Sequence, residues 1–507
     1  MPTLPTLSPS AAETVKVAQS KSAHLLTTVG DAFGTAVAIS ADGRTLAISA
    51  PGEDSEARGV DGDEFNNKAI NSGAVYVYFN TGSRWVRQAY LKAKDSQLED
   101  LFGSALSLSA DGSVLAIGAS QTDGMDEQLP IGAGVNQGAV YLFRRKQQHW
   151  YQEAQLQASN AESFDAFGSV LTVSADGQTL AVAALGEDGS GDSATGDDNQ
   201  RHNAGAVYLF QYQNDQWQQR TILKGAPAQE MEDFGHALSI SEHGKLLAIG
   251  ANQHDGFVTE NGVTKRLRNA GMVYLFAQQT DGWQLQSKLS ARYADERDNF
   301  GTAVSLNADG TRLAISAQGE AGSPGAGGDG QDNSATNAGA VYLYELRNGQ
   351  WQQQAYLKAA NGEKNDGFGT QLQFSANGKV LAVSAQWEDS SGNADNNNAL
   401  QSGAVYVFNQ LKENWKQTAY LKAEAPAALD QFGSALSLSA DGNILVIGAA
   451  AEDAGLLETA PGYHPGVALS SGAVYLFHKP VEQWQQGAYF KATMDSDLGD
   501  SAMAAYH

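Results

Sequence analysis

The groups in this chain best suited to chemistry are carboxylates gathered in glycine-rich stretches. Asp61, Asp63 and Glu64 form one group, Asp188, Asp192, Asp197 and Asp198 a second, and Asp329 and Asp332 a third. Such segments suit calcium, which takes six or more oxygen ligands from a pliable loop. None has EF-hand spacing, and the plainer reading of each is a solvated loop. The second kind of candidate is aromatic. Trp387 with Glu388 and Asp389, and the pair Tyr463 and His464, set rings beside polar groups. That combination suits stacking on a sugar ring or anchoring a peptide, with packing between loops as the alternative. Catalytic motifs are lacking. The nine histidines are scattered, and the chain has no Gly-x-Ser-x-Gly elbow, no His-Glu-x-x-His and no phosphate-binding loop.

All these candidates lie between the strands of a sevenfold repeat. Phe-Gly recurs at Phe33, Phe102, Phe167, Phe234, Phe300, Phe368 and Phe432, at intervals of 64 to 69 residues. A near-constant period of this size means one supersecondary unit stacked on copies of itself. In the second unit Ser104 to Ser109 alternates apolar and small polar residues, as a half-covered strand does. Asp111-Gly112 then signals a tight hairpin, and Val114 to Ala119 is a continuous apolar run typical of a strand covered on both faces. A third strand begins at Gly138 and a fourth near Trp150. Four antiparallel strands repeated seven times predict an all-β fold, a seven-bladed β-propeller of four-stranded antiparallel blades. The seven Trp that open the fourth strands, from Trp85 to Trp484, read as packing residues.

The expected organisation is an N-terminal extension over 1–24, a single propeller over 25–495 and a tail over 496–507. Thr14 to Ala18 resembles a seam strand, and Asp497-Leu498-Gly499 a decayed Phe-Gly. The second-to-third strand loops and the blade-to-blade loops share one pole, and both are long. Extended loops on a rigid scaffold are where binding usually resides. Two acidic positions recur there: Asp54, Asp123, Asp188, Asp255, Asp389 and Asp453 after the second strand, and Asp31, Asp100, Asp165, Glu232, Asp298, Asp366 and Asp430 before Phe. Either set accepts backbone N–H groups and fixes a loop, or offers ligands to a cation.

Composition narrows the partners. A formal net charge of −25 spread along 507 residues argues against nucleic acid, which needs a basic groove. With no cysteine, disulfides and thiolate chemistry are excluded. No run of eighteen apolar residues marks a membrane span. Met1 to Ser10 lacks the apolar core of a signal peptide.

Phe-Gly at the head, a small pair ending the second strand (Ser49-Ala50, Gly118-Ala119) and Gly-Ala-Val-Tyr in the third strand resemble the FG-GAP repeat. That resemblance implies the seven-bladed propeller of integrin α-subunits and of similar bacterial surface proteins. Calcium-binding FG-GAP blades carry an Asp-rich loop between the first two strands. Here that connection is only a tight turn, read at Asp42, Asp111, Asp176, Asp309 and Asp441 as turn formers. Integrin-type calcium loops are therefore expected to be absent, which leaves calcium as a candidate only for the upper loops. The resemblance implies a non-enzymatic adhesion module, secreted, cell-surface or periplasmic, acting as a monomer on a protein or glycan. The alternatives are a glycan-active enzyme with its site in the central channel and an architectural spacer. The residue after Phe-Gly is Ser or Thr in six units and His236 in the fourth, which disfavours the enzyme.

Overall fold

The computed structural model describes residues 30–124, 135–189, 199–260, 262–323, 332–392, 396–453, 470–481 and 483–491. They form seven four-stranded antiparallel sheets, each built from consecutive strands of one repeat. In the first blade β1 (Val37–Ile39), β2 (Thr45–Ala50), β3 (Ala74–Asn80) and β4 (Trp85–Leu91) run from the axis outward. Every residue of β2 is buried, as expected for an apolar run with neighbours on both sides. The β1–β2 hairpin is closed by Asp42, whose Oδ1 accepts from the Arg44 N–H at 3.0 Å and the Ser40 hydroxyl at 2.6 Å. In all seven blades a register shift interrupts the pairing of the third and fourth strands. Such bulges add twist and make an outer edge a poor template for further pairing.

The blades close a ring, and three sets of contacts show it. At one pole the first turns are joined head to tail. Ala41 donates to Ala110, Ala110 to Ala175, Ala175 to Glu242, Glu242 to Ala308, Ala308 to Ala376, Ala376 to Ala440, and Ala440 back to Ala41 at 3.1 Å. At the other pole each Phe N–H reaches the carbonyl just before the third-strand Gly of the preceding blade, including Phe33 to Ser471 across the seam at 3.0 Å. Between the poles lie seven apolar cores, one at each blade interface, the first uniting Phe33 and Tyr76 with Val446, Val474 and Phe490 of the seventh blade. Each interface holds a Phe of the Phe-Gly pair set edge-on against a Tyr, as Phe33 is to Tyr76 at 5.5 Å and Phe102 to Tyr141 at 5.4 Å. The blades approach so closely here that a Cβ on Gly73 would lie 2.2 Å from the Phe102 carbonyl oxygen, and Gly73 also has a positive φ of 79°.

The seventh blade packs directly on the first. The segments read as seam pieces, Thr14 to Ala18 and Asp497 to Gly499, lie outside the described residues. The fourth blade carries an addition that the repeat did not suggest: Gly256–Glu260 and Val263–Leu267 pair as a two-stranded hairpin within its long loop. No described helix is long and apolar enough to cross a membrane.

Candidate functional site

The long connections gather at the pole opposite the alanine turns. Each second-to-third strand loop is stitched to the blade-to-blade loop that follows it, as by Glu99 N–H to Ile70 O at 2.8 Å and Leu429 N–H to Leu400 O at 2.8 Å. The two acidic rings serve this stitching. Asp54 Oδ1 accepts from Asn71 N–H at 2.8 Å, Asp123 from Asn136 at 3.0 Å, Asp188 from Asn203 at 2.7 Å and Asp389 from Gln401 at 2.8 Å. In the second ring Asp100, Asp165, Asp298, Asp366 and Asp430 are buried and each accepts from the N–H three residues earlier. Burial pushes these carboxyls up, to about 6 for Asp100, Asp298 and Asp430 and about 7 for Asp165 and Asp366.

Beneath the loops lies a polar cluster that the sequence reading did not assemble. Glu53, just past the second strand, turns inward to Lys92, the residue after the fourth strand, at 2.7 Å. Lys92 also donates to Ser72 Oγ at 2.7 Å. The same pair recurs as Glu187–Lys224 at 3.0 Å, Glu388–Lys422 at 2.8 Å and Glu452–Lys491. In the fifth blade the Tyr342 and Tyr356 hydroxyls donate to Glu320, while Lys358 donates to the Ala321 carbonyl. Burial there raises Glu320 to about 7 and lowers Lys358 to about 8. Two blades lack the pair and lack both members: the second has Thr122 with Gln157, the fourth His254 with Ser290. In the fourth, His254 Nδ1 lies 2.7 Å from Glu232 Oε2. The joint presence or loss of Glu and Lys was the signal available in the sequence.

The candidate metal and ligand residues are dispersed. Asp61 Oδ1 accepts from Tyr90 N–H at 2.9 Å, Asp63 Oδ1 from Phe65 N–H at 3.0 Å, and Glu64 pairs bidentately with Arg87, both contacts 2.8 Å. Asp188 also contacts His202 Nδ1 at 3.0 Å. Asp332 collects the N–H and hydroxyl groups of Ser323 and Ser334, which hold its carboxyl well below the usual range. Among the described residues no three His, Asp or Glu side chains come together as a metal site would require. Asp192, Asp197, Asp198, Asp329, Tyr463 and His464 lie outside the described residues. The Trp387, Glu388 and Asp389 triplet separates. Glu388 is buried in its lysine cluster, 2.8 Å from Lys422. Asp389 clamps its own loop. Trp387 stands at the wall of the axial cavity.

Two surfaces of this pole remain open. The first is a crown of displayed side chains. The residue three before each Phe is left-handed: Glu99, Phe164, Met231, Arg297, Asn365 and Leu429 have φ between 56° and 72°. For a side chain with a Cβ this conformation costs roughly 1–2 kcal/mol. It nonetheless holds Phe164, Met231 and Leu429 more than half exposed. Nine of the twelve exposed large apolar side chains among the described residues lie in these loops, including Ile70, Leu98, Leu400 and the hairpin's Phe257 and Val263. The second surface is the axial cavity, about 740 Å³, lined by the innermost strands of all seven blades. Among the described residues, the ionisable ones that line it are His236, at the loop end, and Glu242, in the belt of turns. They are six residue steps apart along the first strand and its turn, roughly 20 Å at 3.3 Å per step. A two-carboxylate glycosidase sets its carboxyl groups about 5–10 Å apart; among the described lining residues Glu242 is the one carboxylate.

A closed ring of four-stranded blades with its long loops at one pole defines a β-propeller of the scaffold-and-loops type. The FG-GAP repeat matches residues 85–143, 150–210, 283–344, 351–408 and 415–477, and the chain belongs to that family. Each match runs from a fourth-strand Trp into the third strand of the next blade, so the matched unit spans one blade interface. No curated protein matches the chain. Among solved structures it is similar to Kuenenia stuttgartiensis hydrazine synthase, at 13% identity over 85% of this chain and 96% of that one, with a TM-score of 0.47. It is also similar to the periplasmic gluconolactonase PpgL of Pseudomonas aeruginosa, at 12% identity over 83% and 93%, with a TM-score of 0.48. Neither likeness bears on function at that distance.

Proposed function

We propose that this protein is a non-enzymatic recognition module, secreted, periplasmic or on a cell surface, that docks a protein or glycan partner on its loop pole. The observation that carries the reading is the crown. Solvent-facing apolar side chains are concentrated on the one pole where the loops differ from blade to blade, and such concentrations mark interaction surfaces. Three of them occupy left-handed positions where Gly or Asn would cost less. Retaining Phe164, Met231 and Leu429 there is hard to account for by stability. The scaffold beneath holds its loops in place, since six of the seven second-to-third strand loops are clamped by an Asp and every one is bonded to the blade-to-blade loop that follows it. Such preorganisation reduces the entropy lost on docking. The reading requires no cofactor and no second subunit.

The test is a variant carrying Phe164→Ser, Met231→Ser and Leu429→Ser, assayed for binding to immobilised matrix proteins and glycans. The module reading predicts that ligands held by the parent chain are lost by at least about tenfold, a difference of about 1.4 kcal/mol, with melting unchanged. Undiminished binding by the variant removes the crown from the function.

A further inference from the structure

Between the third and fourth blades, toward the pole of short turns, the outer rim opens into a cleft of about 510 Å³. Its walls come from the outer strands of the third blade and the third-to-fourth strand turn of the fourth, so it shares no residue with the crown. The volume lies within the range of small-molecule sites.

A bulge explains the opening. Where the third and fourth strands shift register, one residue of the fourth strand has no opposite number: Gln88 in the first blade, Glu153 in the second and Arg220 in the third. In the first two blades that residue accepts from the Trp of the next blade. Trp150 Nε1 donates to Gln88 Oε1 at 2.9 Å, and Trp217 Nε1 to Glu153 Oε2 at 3.3 Å. At the third interface the same two positions hold Arg220 and Trp283, and a guanidinium and an indole can only donate. No hydrogen bond can close that contact. Arg220 donates to Gln213 Oε1 of its own blade instead. Both Arg220, which is exposed, and Trp283, which is half-buried, then line the cleft. Of the seven bulge residues Arg220 alone is a cation, and it has no carboxylate partner among the described residues.

Long side chains fill the corresponding space elsewhere. Arg145 reaches from the second blade to Thr45 Oγ1 at 3.1 Å, and Arg312 from the fifth to Gln410 Oε1 at 2.6 Å. Between the third and fourth blades these positions hold Thr179 and Gln278, whose side chains have no partner among the described residues and face the cleft. A wall of unanswered donors calls for a ligand that brings acceptors. The guanidinium fork matches the two oxygens of a carboxylate, and the indole N–H adds a further donor. The Thr179 hydroxyl and the Gln278 amide both donate and accept, as sugar hydroxyls do. The carboxylate among the described lining residues, Asp281, already accepts from Gln284 Nε2 at 2.8 Å.

We infer that the rim cleft between the third and fourth blades binds an acidic saccharide, its carboxylate held by Arg220 and the Trp283 N–H and its hydroxyls by Thr179 and Gln278. The test titrates the full chain calorimetrically with methyl glucuronide, methyl galacturonide and N-acetylneuraminate, with methyl glucoside and N-acetylglutamate amide as controls. Saturable binding of at least one sugar acid is expected, with both controls weaker. Arg220→Gln, at an exposed position, keeps the fold and is expected to weaken that binding by at least about tenfold, as loss of a charged hydrogen bond would. Trp283→Phe, which retains an aromatic ring and removes the N–H, is expected to weaken it measurably. The crown triple variant is expected to bind the sugar acid as the parent does. Absence of binding by all the sugar acids, equal binding of methyl glucoside, indifference to either cleft variant, or loss in the crown variant would each overturn the inference. Equal binding of N-acetylglutamate amide would assign the cleft to an acidic peptide and overturn it as well. None of these results bears on partner binding at the crown.

Discussion

Replacing Lys92 by Gln should destabilise the ring more than replacing Lys92 and Glu53 together. Lys92 is fully buried and the Glu53 side chain is 6% exposed, so their 2.7 Å contact is shielded from water and salt. Burial already pulls the Lys92 amine below its usual value, against the attraction of Glu53. Removing one member of a buried pair strands the other charge, at about 3–5 kcal/mol. The chain contains its own uncharged solution: blade two holds Thr122 and Gln157 at the two positions. Glu53→Thr with Lys92→Gln copies that solution and leaves no charge stranded. The double variant should therefore lose no more than about 2 kcal/mol, giving a coupling of at least about 2 kcal/mol in a double-mutant cycle. For a ring of this length melting as one unit, 4 kcal/mol corresponds to about 4 °C. Urea denaturation and calorimetry of the three variants measure it. Additive losses would refute the coupling and with it the account of these clusters.

Three further outcomes follow from the same geometry. The buried loop aspartates have folded pKa values near 6 to 7, above the ordinary 3.8. The stability linked to them is complete below about pH 3.8 and is lost as pH rises through 6 to 7. The urea midpoint should fall between pH 5 and pH 8, and Asp165→Asn should flatten that fall; a midpoint that rises contradicts the assignment. Gly73→Ala, which drives a Cβ into the Phe102 backbone, should cost about 3 kcal/mol or more. Gly82→Ala, also at positive φ but with nothing within 4 Å, should cost only about 1–2 kcal/mol; equal melting of the two would show that the interface is looser than described. Asp61→Ala should lower stability by about 1 kcal/mol through the lost Tyr90 contact. The loss should be the same with calcium or with chelator, whereas a calcium-dependent difference would return Asp61 to a metal site.

The architecture was legible because it is written in local, periodic terms. Phe-Gly, the Asp-Gly turns and the apolar second strands recur at fixed offsets, and each is a statement about neighbours in sequence. The first strand of the second blade is shorter than its alternation suggests, Leu106–Leu108 within Ser104 to Ser109, because the preceding residues bend at the Phe-Gly junction, whereas in the third and fifth blades it runs on from the Phe, as Phe167–Val173 and Phe300–Leu306. The site was less legible. Glu388 and Asp389 read as an exposed pair beside Trp387, yet alternate side chains of one short segment went to the cavity wall, the blade interior and the loop clamp. Their destinations depend on Lys422 and Gln401, which sequence distance hides. The hairpin of the fourth loop did have a local signal, Asn261-Gly262 between Phe257-Val258 and Val263-Thr264. The repeat, which marks that stretch as loop, masks it. The left-handed crown had no signal at all, since Phe, Met and Leu are residues that sequence rules place elsewhere.

The claim on which the rest depends is that blade seven meets blade one, so that all long loops share one pole of a closed ring. The absence of native cysteine makes a direct test available. Ala41→Cys with Ala440→Cys places two thiols on residues whose backbones bond across the seam at 3.1 Å; Ala41→Cys with Ala110→Cys does the same within the array, at 2.9 Å. Intact mass after treatment with a short bifunctional thiol reagent should show both pairs joined to the same extent. Joining of the Ala110 pair with free thiols in the Ala440 pair would mean an open stack and would contradict the account.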